Sequence, residues 1–197
     1  MSHATAVLIG PNAVIQLAGA IEAVEGTAAK TRIFGQAGVA HYLARPPETM
    51  IAESDVAELH RCMRAGLGGR HSASISWVAG HHTANYLLAN RIPRPVQRLL
   101  KLLPAPLAGR LLMTAIARHA WTFVGSGTFS YRGFRPVLFE ISDSLLSRDA
   151  QAEEPCCTYY AATFERLFAE LVSPTATVTE TACAAMGAPA CRFRIDW

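Results

Sequence analysis

The sequence predicts an α+β fold, in which a helical amino-terminal half packs on a small antiparallel sheet. The chain has 197 residues, which is enough for one domain with a sizeable core. Apolar residues recur at helical spacing before Gly125 and alternate in the manner of strands after it. Hydrophobic residues make up 51% of the chain and charged residues 17%, a composition that excludes a disordered polypeptide.

The amino-terminal half is expected to be a series of helices, most of them bounded by glycine, proline or asparagine. They cover residues 12–26, 28–43, 54–67, 74–90, 96–103 and 106–123. The segment 74–90 contains no aspartate, glutamate, lysine or arginine. We therefore expect this helix to be buried on most sides or to line a cavity.

The carboxyl-terminal part is expected to run strand, strand, helix, strand, strand. The strands cover residues 128–135, 137–141, 176–182 and 191–195, and the helix covers 157–171. A tight turn containing Gly187 and Pro189 joins the last two strands. Because no repeat or low-complexity linker divides the chain, we predict a single domain over residues 1–197, mainly helical over 1–125 and with these strands over 126–197.

Charge is distributed unevenly along the chain. Between Glu58 and Glu140 there is no aspartate or glutamate, while many arginines and five of the seven histidines lie there. The preferred partner of this interval should therefore be anionic, and we predict that its helices enclose an apolar hollow edged by guanidinium groups. A nucleic-acid role is not expected, because the net charge is only +3 and the basic cluster lacks interleaved aromatic residues.

Histidines and arginines of this interval are candidates for ligand binding. Adjacent His81 and His82 point about 100° apart on a helix, so they do not easily face one ion. One of them could be an axial ligand to a metal inside a bound macrocycle, or an acid or base near an apolar ligand. A histidine satisfied within the core is the alternative. Arg91, Arg94 and Arg98 could hold carboxylates or phosphates, or could form a solvated helix face.

The strongest chemical pattern is Glu180-x2-Cys183-x7-Cys191, preceded by Cys156-Cys157. Two thiolates on paired strands across a short turn can converge, and the carboxylate can reach them if its strand bends. Cys157, at the start of the preceding helix, could supply a fourth ligand. Three sulfurs and one carboxylate suit a structural zinc ion, and unligated core cysteines are the alternative. The odd count of five cysteines argues against a disulfide framework.

Several functional classes lack their sequence signals. The chain has no GxGxxG after a strand, no Walker A sequence and no GxSxG, so a self-contained nicotinamide or flavin enzyme is poorly supported. The first basic residue is Lys30, which leaves no positive region for a secretory signal. The longest charge-free run, residues 71–90, is too polar for a membrane span. We therefore expect a cytoplasmic protein without a transmembrane helix.

The carboxyl-terminal residues resemble a known family. The run from Cys157 through Glu180, Cys183, Gly187 and Cys191 resembles the 4-vinyl reductase domain, whose signature is Glu-x2-Cys-x3-Gly-x3-Cys-x-Phe. Other segments are similar to the bacteriochlorophyll-synthesis protein J branch of that family, so the resemblance spans nearly the whole chain. These segments are 10–14, 47–50, 86–93 and 119–123.

The resemblance implies both a fold and a metal site. The fold would be similar to aromatic-sensor and vesicle-tethering α/β domains, with helices packed on an antiparallel sheet around an apolar pocket. In metal-bearing relatives zinc is held by a Cys, Glu, Cys, Cys set, which corresponds here to Cys157, Glu180, Cys183 and Cys191. The neighbouring Cys156 leaves the identity of the first ligand open.

The resemblance also implies a role in bacteriochlorophyll synthesis. Our leading expectation is a protein that binds or delivers a magnesium porphyrin or divinyl chlorophyllide intermediate, with arginines near its carboxylates and histidine near its magnesium. The alternatives are a reductase of the 8-vinyl group (4-vinyl in older numbering) that needs an external reductant, and a regulatory or assembly subunit. Pathway enzymes, a second copy of the chain and a membrane surface are the further contacts expected. The residues expected at the ligand are His81, His82, Tyr86, Arg91, Arg94, Arg118, His119 and Trp121.

Overall fold

The structure is a computed structural model that describes residues 6–197. Helices fill most of the amino-terminal part and strands follow, so the predicted α+β class is confirmed. In chain order the elements are β1 (Leu8–Ile9), α1 (Asn12–Gln36), α2 (His41–Ala44), β2 (Ile51–Ala52), α3 (Glu53–Leu67), α4 (Gly69–Asn90), α5 (Arg94–Leu102), α6 (Ala105–Arg118), α7 (Trp121–Val124), β3 (Thr128–Gly133), β4 (Val137–Ser142), α8 (Thr158–Leu171), β5 (Thr177–Ala182) and β6 (Cys191–Asp196). Among these helices, none has the combination of length and apolar character that crossing a bilayer requires.

Four strands form an antiparallel sheet in the order β3-β4-β6-β5. Alternation along β4 and β6 turns one side of each strand inward and buries Phe139 and Phe193. Phe164 of α8 packs against both rings, with centroid distances of 4.9 Å to Phe139 and 5.7 Å to Phe193. These edge-to-face contacts hold α8 on the inner face of the sheet.

Helix α4 packs closely against α8. The contact point is Gly80, where a Cβ atom would lie 2.4 Å from the Tyr159 carbonyl oxygen and 2.8 Å from the Ala162 Cβ atom. Glycine therefore permits the two backbones to approach at this point. The Thr163 hydroxyl donates a hydrogen bond to the Gly80 carbonyl oxygen at 3.1 Å. Along this side the uncharged helix is buried against α8, and the two helices do not enclose a hollow between them.

Some boundaries differ from those expected, and each difference has a local cause. Gly26 interrupts α1 with a φ of 84°, but helical structure resumes at once and continues to Gln36. Gly38, with a φ of 71°, then separates α1 from the short α2, so the helix expected over 28–43 is divided. The helix expected over 106–123 ends at Arg118, and α7 follows after a turn.

The β1–β2 pair lies outside the sequence predictions. Leu8 pairs with Ala52 and Ile9 with Ile51 in antiparallel register. Two residues per strand are too few to produce an alternation pattern that could be recognised in the sequence.

A polar contact joins the start of α3 to the loops around β3 and β4. Glu53 accepts hydrogen bonds of 2.7 Å from both the backbone N–H and the hydroxyl of Ser126. The Arg148 guanidinium pairs with the same carboxylate at 2.9 Å. Buried apolar side chains of both halves also form one continuous cluster, so the helices and the sheet share their interior.

Candidate metal centre and adjoining cleft

Four side chains from separate parts of the chain converge beside the start of α8. Cys157 immediately precedes α8, Glu180 lies within β5, Cys183 follows β5, and Cys191 begins β6. Their ligand atoms all lie within 4.8 Å of one another, an arrangement that could hold a metal ion. The structure therefore brings together the four residues that the sequence analysis singled out.

A β-bulge directs Glu180 and Cys183 to the same place. Residues three apart on a regular strand point to opposite faces, because successive side chains alternate. Between Glu180 and Ala182 the pairing of β5 with β6 shifts by one residue. Such an extra residue reverses the alternation and bends the strand, which is the bend that the Glu180-x2-Cys183 spacing requires.

Hydrogen-bond donors surround the sulfur atoms. The Ala184 backbone N–H donates to Cys191 Sγ at 3.4 Å, and the Ser147 hydroxyl oxygen is 3.3 Å from the same sulfur. The Ser144 hydroxyl oxygen is 3.7 Å from Cys157 Sγ. Donors of this kind orient thiolate ligands and stabilise their negative charge.

The cluster is crowded enough for its members to perturb one another. Cys157 Sγ and Cys191 Sγ are 3.3 Å apart. Hydrogen bonds from the Cys156 and Cys157 thiols hold the pKa of Cys183 well below its usual value. Hydrogen bonding with Cys156 and then with Cys183 raises the pKa of Cys157. Burial raises the pKa of Glu180 to about 8. The protein alone therefore resists full ionisation of this set, and a divalent cation would offset the repulsion.

One oxygen of Glu180 supports a fit to a metal ion. Its Oε2 accepts a 2.9 Å hydrogen bond from the Cys157 N–H, whereas Oε1 is buried with no hydrogen-bond partner among the described residues. A buried polar atom without a partner costs free energy, which a bound cation would remove. Three thiolates and one carboxylate also match the ligand types and the number of ligands in tetrahedral structural sites. The residues present therefore fit a metal ion.

Cys156 lies at the edge of this cluster. Its Sγ is 3.7 Å from Cys183 Sγ, and the residue is half-buried whereas Cys157 is buried. A hydrogen bond with Cys157 lowers the pKa of Cys156, but hydrogen bonding to Cys183 and burial outweigh it and bring the pKa to about 12. The four converging ligand atoms include that of Cys157, and Cys156 stays outside the set.

The residues expected at a tetrapyrrole pocket are dispersed. Six of the eight are exposed and two are partly buried. The exposed ones are His82, Arg91, Arg94, Arg118, His119 and Trp121, and the partly buried ones are His81 and Tyr86. The Arg91 guanidinium lies 5.9 Å from the centre of the Tyr86 ring, and His119 Nδ1 lies 2.9 Å from its own helix's Ala115 carbonyl oxygen. The structure does not bring the eight to a common cavity.

The larger of two cavities in the described part of the chain is a cleft of about 240 Å³ between α4, α8 and β5. Its lining residues are Trp77, Pro155, Thr158, Ala161, Ala162, Glu165, Val178, Thr179 and Glu180. Glu180 thus belongs to both the cleft and the cysteine cluster. The smaller cavity, of about 40 Å³, lies around Arg132 and Arg192. Neither is lined by any of the eight expected ligand residues.

Trp77 and His81 form a stacked pair beside this cleft. They are one helical turn apart on α4, with ring centroids 3.8 Å apart and an interplanar angle of 27°. Trp77 remains 45% exposed. Burial lowers the pKa of His81, so its imidazole is neutral at pH 7, and Nε2 is buried with no hydrogen-bond partner among the described residues. A neutral imidazole nitrogen of this kind is a metal ligand when it becomes accessible.

Sequence reasoning missed part of this neighbourhood. The spacing on α4 favoured a core position for Trp77, and the segment containing Ser144 and Ser147 had the pattern of a polar connection. Nothing in the local sequence signals that these two hydroxyls lie at sulfur atoms, because the contacts span 13 and 44 residues. The half-exposure of Trp77 depends on how far β5 and the loop before α8 cover α4.

The fold and the cluster together define a class of protein, an α+β domain in which helices cover an antiparallel sheet that carries a buried centre of three cysteines and one glutamate. The model of the 4-vinyl reductase domain matches residues 137–196, which include all four cluster residues. The chain is 45% identical over 187 residues to a protein of Cereibacter sphaeroides named bacteriochlorophyll synthase 23 kDa chain, covering 95% of this chain and 89% of that relative. The chain belongs to this family of 4-vinyl reductase domain proteins, so the resemblance stated from the sequence is confirmed.

Solved structures of similar fold include sensory domains. An H-NOX protein from K. algicida, in the state described as Fe(II) unliganded, has a TM-score of 0.61 at 11% identity, with 95% of this chain and 96% of that chain covered. The phenol-responsive sensory domain of the transcription activator PoxR has a TM-score of 0.51 at 16% identity, with 75% and 77% covered. The expected similarity to aromatic-sensor domains is therefore confirmed at the level of the fold.

Proposed function

We propose that this protein serves bacteriochlorophyll synthesis by binding a magnesium tetrapyrrole intermediate and passing it on. The pathway assignment is supported by the 45% identity, over 95% of the chain, to a protein named as a chain of bacteriochlorophyll synthase. The binding assignment is carried by the Trp77–His81 pair beside the cleft. Pathway enzymes are the proposed recipients of the pigment.

The cleft suits one face or edge of a flat macrocycle. The half-exposed Trp77 ring offers a planar apolar surface, and Ala161, Ala162 and Val178 continue it. The acidic side chains at the cleft are engaged by the backbone, since Glu165 accepts a hydrogen bond from the Val178 N–H at 3.0 Å. The pigment's own carboxylates would then remain at the solvent side.

His81 is the proposed axial ligand to the pigment's magnesium. Its imidazole is neutral at pH 7 because burial lowers its pKa, and Nε2 has no hydrogen-bond partner among the described residues. Opening the stack with Trp77 would present this nitrogen to the cleft. The cleft volume of about 240 Å³ is below the roughly 300–1,000 Å³ of pockets that enclose a ligand. The macrocycle would therefore be held only in part, as transfer to a second protein requires.

Pigment titration tests this proposal. Purified protein titrated with magnesium protoporphyrin, followed by absorbance, should bind with a spectral shift typical of axial ligation. His81→Ala should remove that shift, and Trp77→Ala should weaken binding by roughly tenfold or more, as expected for loss of a large stacked ring. His71→Ala is the matched control, because His71 is exposed and pairs with Glu25. An unchanged shift in His81→Ala would exclude His81 as the ligand.

The same samples distinguish a carrier from a reductase. Divinyl chlorophyllide with NADPH should remain unreduced in the presence of the protein, while it binds and shifts the absorbance. Multiple turnover to the monovinyl product would replace the carrier proposal with 8-vinyl reduction. Absence of any pigment binding, with recovery of a pathway enzyme in a complex that the Trp77 and His81 variants leave intact, would instead favour an assembly subunit.

We further propose that Cys157, Glu180, Cys183 and Cys191 hold zinc in a structural role. Thiolate ligands favour zinc over magnesium or calcium, and four protein ligands leave no open coordination position for a substrate. The ion would staple the start of α8 to β5 and β6. The metal is thus assigned to folding, and pigment binding is assigned to the neighbouring cleft.

A further inference from the structure

Helices α5 and α6 expose leucines that a globular protein would normally bury. The exposed fraction is 54% for Leu99, 84% for Leu102, 52% for Leu107 and 51% for Leu111. Single exposed leucines need no explanation, but four on two consecutive helices suggest an interaction surface. We call these four residues, with the cations described next, the leucine–arginine face.

The exposure is a property of well-anchored helices. Leu100 of α5 and Leu112 of α6 are buried, with 5% and 4% exposed, so each helix is fixed by its opposite side. Gln97 adds hydrogen bonds from its side-chain amide to the carbonyl oxygens of Leu88 and Ile92. The leucines therefore face solvent because of the orientation of the helices.

Unpaired cations lie on the same helix faces. Arg94, Arg98 and Leu102 follow one another at four-residue spacing on α5, as Leu107 and Leu111 do on α6. Among the residues that the structure describes, the four arginines of α5 and α6 form no ion pair with a carboxylate, whereas Lys101 pairs with Glu170. These arginines, all exposed, are Arg94, Arg98, Arg110 and Arg118.

We propose that the leucine–arginine face docks the protein on the surface of an anionic lipid bilayer. A bilayer of this type offers negative headgroups for the arginines and, directly beneath them, an apolar layer for the leucines. A second copy of the chain is disfavoured as the occupant, because two such faces would bring eight unpaired cations together. The sequence interval from 59 to 139 contains no carboxylate that could offset this repulsion.

The test uses the full-length protein and vesicles of phosphatidylcholine with and without phosphatidylglycerol, with binding measured by co-sedimentation. The protein should bind the anionic vesicles and be released as salt is raised. Leu99→Ser with Leu102→Ser should lower the partition coefficient by about tenfold or more. Arg94→Gln with Arg98→Gln should lower it by roughly 30-fold, at about 1 kcal/mol per cation near the surface.

Controls place the effect on this face. Val24→Ser removes an exposed apolar side chain from α1, and Arg70→Gln removes a cation from α4 about 30 Å along that helix from α5. Both should bind as the unaltered protein does, and circular dichroism should give the same Tm for all variants. No binding to anionic vesicles at low salt overturns the proposal. Binding that survives both double substitutions overturns it as well, and so does loss of a protein partner with vesicle binding unchanged.

Discussion

The cysteine cluster and the arginine-rich helices make opposite use of residues that stand out in the sequence. In the cluster, Cys157, Glu180, Cys183 and Cys191 lie apart in the chain, yet their ligand atoms come within 4.8 Å of one another. In the helices, Arg91, Arg94 and Arg118 lie close in sequence and point to solvent from separate elements. Proximity in sequence and convergence in space are therefore reversed between the two regions.

The backbone explains the difference. In the cluster, two paired strands, a bulge and a helix start fix the direction of each side chain, so four ligand atoms have one common target. On a helix each residue is rotated by about 100° from the last, and an unpaired guanidinium costs least in water. Patterned chemistry thus indicates a site only where the backbone returns to the same point.

Removal of one thiol should have the largest effect. Cys183→Ser should release the metal and lower the free energy of unfolding by several kcal/mol, since metal binding is coupled to folding. Elemental analysis and chemical denaturation of the same sample measure both. Full metal retention would remove the assignment of Cys183 as a ligand.

Two matched thiol substitutions sharpen that result. Cys156→Ser should retain the metal, because Cys156 lies outside the four converging ligand atoms. Cys62→Ser removes a buried thiol of α3 that belongs to no such cluster and should retain it as well. Loss of metal in Cys156→Ser would transfer the first ligand position to that residue.

A methyl group at the α4–α8 contact tests how tightly the helical side is packed. Gly80→Ala would place a Cβ atom 2.4 Å from the Tyr159 carbonyl oxygen, so the helices must separate. We expect a loss of roughly 1–3 kcal/mol in the free energy of unfolding, measured with urea. Gly19→Ala is the control on α1, where a Cβ atom meets nothing within 4 Å and the better helix propensity should stabilise slightly. Equal stability of both variants would contradict the close contact.

A solitary buried histidine gives the smallest predicted effect. Burial, and then the charge of Arg64, lowers the pKa of His60 to about 3 from 6.5, and its Nε2 has no hydrogen-bond partner among the described residues. Between these values the unfolded chain binds a proton that the folded protein does not, so stability falls as pH falls below 6.5. The loss should reach about 2 kcal/mol at pH 5.

Urea unfolding at pH 7, 6 and 5 isolates this contribution. His60→Gln should remove that part of the pH dependence, whereas His82→Gln, at an exposed position, should keep it. The difference between each variant and the unaltered protein cancels proton effects at the cysteine cluster. An identical pH dependence in His60→Gln would show that another group is responsible.

The sequence by itself determined the fold class, the strand order along the chain and the four residues of the cysteine cluster. These follow from local periodicity and from residue types that share one chemistry. It did not determine the half-exposed Trp77 beside the cleft, or the dispersal of Arg91, Arg94 and Arg118 over separate surfaces. Only the tertiary structure decided those features, because exposure and convergence depend on which elements pack together, and at Gly80 that packing closes the space between α4 and α8.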